Sequence, residues 1–88
     1  MDRSGREPKA ELADIVRQRQ LRALFQPIVG AAEGRLFAHE ALLRGPADSP
    51  LCAPLELFAA SRQAGTTTEL DLLALQVTVE HFAAGAFR

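Results

Sequence analysis

The chain has 88 residues, 48% of them hydrophobic, and a formal net charge of -1. This length allows one small domain, and this composition is typical of a globular chain rather than a disordered one. A charge this close to zero gives no indication of a nucleic-acid polymer as a partner. The single cysteine, Cys52, excludes an intrachain disulfide.

No apolar run approaches the roughly 20 residues of a membrane span. The N-terminal residues are charged and include no apolar segment of the kind found in secretory signals. A lone cysteine is compatible with a reducing compartment. We therefore expect a cytoplasmic protein with no membrane span in this chain.

Charged side chains are concentrated in the first quarter of the sequence. We expect residues 1–8 to be a disordered tail and residues 9–20 to be a solvated linker helix with one buried face. Leu12, Ile15 and Val16 recur at helical spacing on that face, while most of the other positions are charged or Gln.

Two apolar runs within residues 21–43 predict a β-hairpin. Pro27 cannot donate to a strand ladder, so the first strand is expected at an edge or to be distorted. Gly30 and Gly34 frame a turn short enough to join antiparallel strands. The apolar composition of both runs predicts burial on both of their faces.

Two further helices are predicted within residues 54–84. Pro54 is suited to the first turn of a helix, and Gly65 to its C-terminal cap. Thr66 and Glu69 have the spacing of a capping box. The element order is therefore helix, strand, strand, helix, helix, which is an α/β fold class. Because a two-stranded sheet is a poor independent core, we expect further sequence to cover it.

Glu40 is the main candidate for chemistry, because it interrupts an apolar strand. A carboxylate is rarely buried without a partner. Glu40 therefore either points into a site that uses a cation or a base, or faces solvent near Arg44. In a regular strand Glu40, Leu42 and Arg44 share a face, with a carboxylate for a cation and a guanidinium for a phosphate. Gln26 is an amide in the other apolar strand, and a hydrogen bond to backbone or water is its simplest interpretation.

The other polar residues indicate no chemistry. His39 and His81 have no second ligand at metal spacing, so we interpret both as structural or surface residues. The sequence contains no nucleophile and base pair and no Gly-rich phosphate loop.

Residues 25–29, Phe-Gln-Pro-Ile-Val, a Gly-containing turn and residues 40–44, Glu-Ala-Leu-Leu-Arg, resemble the opening of an EAL domain. Such domains hydrolyse the bacterial second messenger cyclic-di-GMP. The Gly-Pro loop and the Glu-Leu-Asp run at residues 69–71 are also similar to the family. The resemblance covers about residues 12–88 and identifies residues 9–88 as a partial EAL domain.

The resemblance implies a modified (β/α)8, TIM-like barrel whose first strand is antiparallel to its neighbour. A full barrel needs about 250 residues, so we expect this chain to be the N-terminal part of one. Glu40 resembles the family's metal-binding Glu, and Arg44 resembles the Arg that contacts a substrate phosphate. Gln26 and Leu42 resemble residues that line the substrate pocket. Gly45 stands where an aromatic residue often follows that Arg.

The family's other metal ligands and its catalytic Lys would lie downstream of this sequence. The resemblance therefore implies Mg²⁺ or Mn²⁺ in the full-length domain, phosphodiester hydrolysis by the parent protein, and no activity from this chain alone. An alternative is a degenerate EAL module that binds cyclic-di-GMP or a partner protein without turnover. A third possibility is a structural half-domain that self-associates through exposed barrel edges.

Overall fold

The computed structural model describes residues 5–30, 32 and 34–85, apart from the side chain of Phe37. The elements, in chain order, are α1 (Pro8–Arg17), β1 (Arg22–Val29), β2 (Leu36–Arg44), α2 (Pro54–Ala64) and α3 (Thr67–Ala83). This is the predicted order, and the two strands pair antiparallel. The described residues form a small α/β unit, in which a complete barrel is not visible.

The first helix is shorter than the predicted range of residues 9–20. It begins at Pro8 and ends at Arg17, and the chain leaves it through Arg19, whose φ of 53° is left-handed. Of the predicted tail, residues 1–4 lie outside the described residues. Arg6, which was also assigned to that tail, forms ion pairs with two carboxylates of α1.

The core is formed mainly by the three helices. Leu12 and Ile15 of α1 are buried, as their spacing predicts. Each helix contributes one apolar face, and the segments at residues 21 and 51 add one leucine each. The buried cluster consists of Leu12, Ile15, Leu21, Leu51, Leu57, Ala60, Leu70, Leu73 and Val77. The hairpin lies against one side of this cluster, with Leu43 packed on it.

Glu11 corrects the interpretation of the first helix as carrying only solvated charge. Its side chain is 0% exposed, and it accepts a hydrogen bond of 2.5 Å from the Ser49 hydroxyl. Arg6 donates to the same carboxylate at 3.2 Å. Since a buried carboxylate needs such partners, the sequence segment around Ser49 is held against α1.

The loop between β2 and α2 is closed by its own backbone. The Gly45 N–H donates to the Cys52 carbonyl at 2.8 Å, and the Leu51 N–H donates to the Ser49 hydroxyl at 3.0 Å. A Cβ atom at position 45 would lie 2.4 Å from the Leu51 carbonyl oxygen. Only glycine allows this approach, so residue 45 has a backbone role directly after Arg44.

The predicted helix ends at Pro54, Gly65 and Thr66 are confirmed, whereas the predicted capping box is not. Pro54 lies in the first turn of α2, and Gly65 caps it with a left-handed φ of 71°. Thr66 is the N-cap of α3, but its side chain makes no capping hydrogen bond. The predicted capping box with Glu69 is therefore wrong. The Thr66 backbone N–H instead donates to the Ser61 carbonyl at 2.9 Å and closes the end of α2.

The prediction that both strands are buried on both faces is also wrong for the described residues. Burial needs a layer on each side of a sheet, and the three helices cover only one side of this hairpin. Leu24, Ile28, Val29 and Leu36 are all more than two-fifths exposed. The outer half of β1 is exposed throughout.

Replacing Leu57 tests the helical core. We expect Leu57→Ala to lower the free energy of unfolding by about 2–5 kcal/mol, because it removes a fully buried side chain and leaves a cavity. Leu55→Ala is the matched control in the same helix, since Leu55 is 73% exposed, and it should change stability by less than about 0.5 kcal/mol. Urea unfolding followed by circular dichroism measures both. Equal losses for the two variants would contradict the packing described.

Glu11→Ala tests the attachment of the loop to α1. The substitution leaves the buried Ser49 hydroxyl without its acceptor, so we expect a loss of about 1–3 kcal/mol in unfolding free energy. Glu7→Ala is the control, because Glu7 is exposed and makes no side-chain cap hydrogen bond. The same unfolding assay measures both variants. An unchanged midpoint for Glu11→Ala would show that the hydrogen bond between Ser49 and Glu11 does not contribute to stability.

Candidate functional site

The register of the hairpin decides which side chains meet. Gln26 is paired with Glu40, Leu24 with Leu42, and Arg22 with Arg44. Residues directly opposite each other in an antiparallel pair point to the same side, and so do residues two apart along each strand. These three pairs therefore form three successive rows on one side of the hairpin, which we call the open face.

The other side of the hairpin packs on α3, and we call it the helix-covered face. Phe25 and Phe82 make an edge-to-face contact with ring centroids 5.9 Å apart. Ala23 is buried, and its N–H donates to Nδ1 of His81 at 3.2 Å. His81 therefore has the structural role that the sequence predicts for it. This packing leaves the open face as the side without helical cover.

A bulge makes this arrangement. The pairing is regular from Arg22 to Ile28, where Ile28 lies opposite Ala38, but Val29 lies opposite Leu36. One extra residue, at position 37, is thus inserted on β2. Without it, counting outward from the turn would place Glu40 opposite Phe25, on the side opposite to Gln26.

All four residues nominated from the sequence lie on the open face. Glu40 and Gln26 are exposed, whereas Leu42 and Arg44 are half-buried. Arg44 Nη1 donates to the Leu43 carbonyl oxygen at 2.8 Å, which directs its guanidinium along the end of the strand. Along the open face, Glu40 and Gln26 form the first row, Leu42 pairs with Leu24 in the second, and Arg44 lies at the end.

The open face does not by itself fit a divalent metal ion. Such ions take several oxygen ligands, often from two or more carboxylates. Among the described residues, no three His, Cys, Asp or Glu side chains lie close enough to hold one. Glu40 is the one carboxylate that the described part of the chain places on this face, and it can supply at most two oxygen ligands.

A cavity of about 330 Å³ lies elsewhere, between α1 and the junction of α2 with α3. Its lining residues are Lys9, Leu12, Ala13, Val16, Arg17, Ala64, Thr66 and Glu69. None of these is on the hairpin. The surface of this cavity is mostly apolar and contains none of the candidate residues from the sequence, so we take the open face as the candidate site.

Two residues that the structure connects to this face were not predicted from the sequence. Arg22, which lies within the predicted hairpin but was given no chemical role, is directly opposite Arg44. Glu11, counted as solvated, holds the loop that follows Arg44. The predicted hairpin includes Arg22. Its partner on the other strand could not be predicted, because the one-residue bulge on β2 shifts the pairing of all residues beyond it. Nothing in the sequence around Ser49 indicates a carboxylate partner 38 residues away.

Comparisons with known proteins give one finding. Neither the curated proteins nor the solved structures include a significant match to this chain. In the part of the chain that the structure describes, none of the helices has the length and apolarity needed to cross a bilayer. The family model described as "EAL domain" matches residues 9–88. The chain therefore belongs to the EAL domain family, whose members are generally cyclic-di-GMP phosphodiesterases.

Proposed function

We propose that this chain supplies the first two strands and the first part of the substrate site of a cyclic-di-GMP phosphodiesterase. The observation that carries the proposal is the shared face: Gln26, Glu40, Leu42 and Arg44, nominated independently of the fold, lie on one side of the hairpin. Glu40, Leu42 and Arg44 share a face because of their spacing along β2, and the register adds Gln26 from the neighbouring strand to the same face.

The roles follow the chemistry of each row. Glu40 is exposed and can offer its carboxylate as one ligand to Mg²⁺ or Mn²⁺, together with ligands from outside the described residues. Arg44 can donate two hydrogen bonds to a phosphate oxygen pair. Gln26 would donate to or accept from polar atoms of the ligand, and Leu42 with Leu24 would form an apolar platform between the two polar rows.

The exposed apolar surface supports the proposal that this chain is part of a larger barrel. Leu72, Leu75 and Val79 form a stripe on the outer side of α3 and are each more than half exposed. The strands add exposed apolar side chains near the turn. Surfaces of this kind are normally covered by further structure, and uncovered they favour self-association.

A cytoplasmic location accords with the single cysteine.

The test is to titrate the protein, expressed from its complete gene, with cyclic-di-GMP in the presence of Mg²⁺. Calorimetry measures binding, and chromatography measures the linear dinucleotide product. We expect Arg44→Ala to weaken binding at least about tenfold, because a charge-assisted hydrogen bond to phosphate is lost. Arg35→Ala is the matched control, since Arg35 is exposed on the same hairpin but precedes β2.

Glu40→Gln separates metal binding from ligand binding. The substitution keeps the size of the side chain and removes its charge, so hydrolysis should fall by at least about a hundredfold. Binding of cyclic-di-GMP in the presence of a chelator should change little. Saturable binding by the unaltered protein without any product would favour the alternative of a binding module without turnover. No binding by the unaltered protein would refute both.

A further inference from the structure

Arg22 and Arg44 form a cross-strand pair of like charge at the end of the open face. They are register partners, so their Cβ atoms are about 4.5–5.5 Å apart. Arg22 is exposed and Arg44 is half-buried. Among the described residues, no carboxylate forms an ion pair with either guanidinium.

This pairing is unfavourable for the hairpin alone. Like charges directly opposite each other destabilise a strand pair, whereas opposite charges stabilise it. The carboxylate of the same face, Glu40, lies four residues along β2 from Arg44, at a backbone distance of about 13 Å. The carboxylate of Glu80 is already bound by Arg19, through two contacts of 3.0 Å.

We infer that Arg22 is a second phosphate-binding residue, and that Arg22 and Arg44 together hold one phosphodiester group of the ligand between their guanidinium groups. This inference rests on the proposed function and adds a residue to it. A phosphodiester carries one negative charge and two free oxygens, so it can accept hydrogen bonds from two guanidiniums at once. Binding would replace the repulsion between the two cations with attraction to a shared anion.

Contacts close to Arg44 and Arg22 hold the backbone from which the two side chains project. The Arg44 guanidinium is directed by its bond to the Leu43 carbonyl, and residue 45 is held by the closed loop. Arg22 begins β1 one residue after the buried Leu21. Both cations therefore project from backbone that is held in place, so binding an anion has to order their side chains but not the strands.

The experiment is a double-mutant cycle on the protein expressed from its complete gene, with cyclic-di-GMP as the ligand and calorimetry as the readout. We expect Arg22→Ala to weaken binding about tenfold and Arg22→Lys to recover part of the loss. The Arg22→Ala and Arg44→Ala double variant should lose less affinity than the product of the two single losses, because both side chains hold one group. Arg35→Ala should change affinity less than about twofold.

Thermal unfolding without ligand provides a second readout. Arg22→Ala should leave the midpoint unchanged or raise it, since it removes the cross-strand repulsion, so a binding loss cannot be attributed to unfolding. If Arg44→Ala weakens binding while Arg22→Ala does not, the inference is wrong and the proposed function stands. Multiplicative losses in the double variant would overturn the shared phosphate. Absence of binding by the unaltered protein would overturn the inference and the proposed function together.

Discussion

The buried hydrogen bond from the Ser49 hydroxyl to the Glu11 carboxylate connects the parts of this molecule that the sequence keeps apart. It attaches the loop between β2 and α2 to α1, and through the Leu51 N–H it directs that leucine into the core. The same loop closes on Gly45, directly after Arg44. A buried carboxylate without these donors would cost several kcal/mol, so the loop and the helix have to assemble together. The direction in which β2 ends is set in this way by a contact with the first helix.

The bulge at position 37 fixes the pairing of the two strands, as the Glu11–Ser49 contact fixes the position of the loop. A strand pair without it would still be antiparallel and would still bury Ala23 beside α3, but it would separate Gln26 from Glu40. The bulge lies close to the turn, where few contacts with the helices oppose it. The remaining seven pairs, from Ile28 to Arg22, follow from that one insertion. One residue near the turn therefore determines which side chains form the open face.

Local signals in the sequence predicted the elements, because they depend on residues close together in the chain. Pro54 and Gly65 acted as cap signals, and the spacing of Leu12 and Ile15 predicted their burial. These signals failed where a residue's contact partner is distant in the sequence, or where a bulge shifts the strand register by one residue. Nothing near Glu11 indicates Ser49, and the bulge shifts by one residue the register that places Arg22 opposite Arg44. The capping box failed for a related reason, since the Thr66 backbone is already used in closing α2. The motif residues were identified by resemblance to a family, and the spacing of Glu40, Leu42 and Arg44 predicted a shared face. The strand register was needed to place Gln26 on the same face.

The two faces of the hairpin differ in the residues they present, and this difference supports a functional role for the open face. On the helix-covered side, aromatic and aliphatic groups pack and the histidine is hydrogen-bonded, as stability alone would select. On the open face, a carboxylate interrupts a strand and two arginines face each other without a carboxylate partner in the described part of the chain. A sequence selected only for folding would replace these residues by neutral or oppositely charged pairs. This conflict with local stability supports our inference that Arg22 and Arg44 bind an anionic ligand, because such a ligand would balance the charge of the two guanidinium groups.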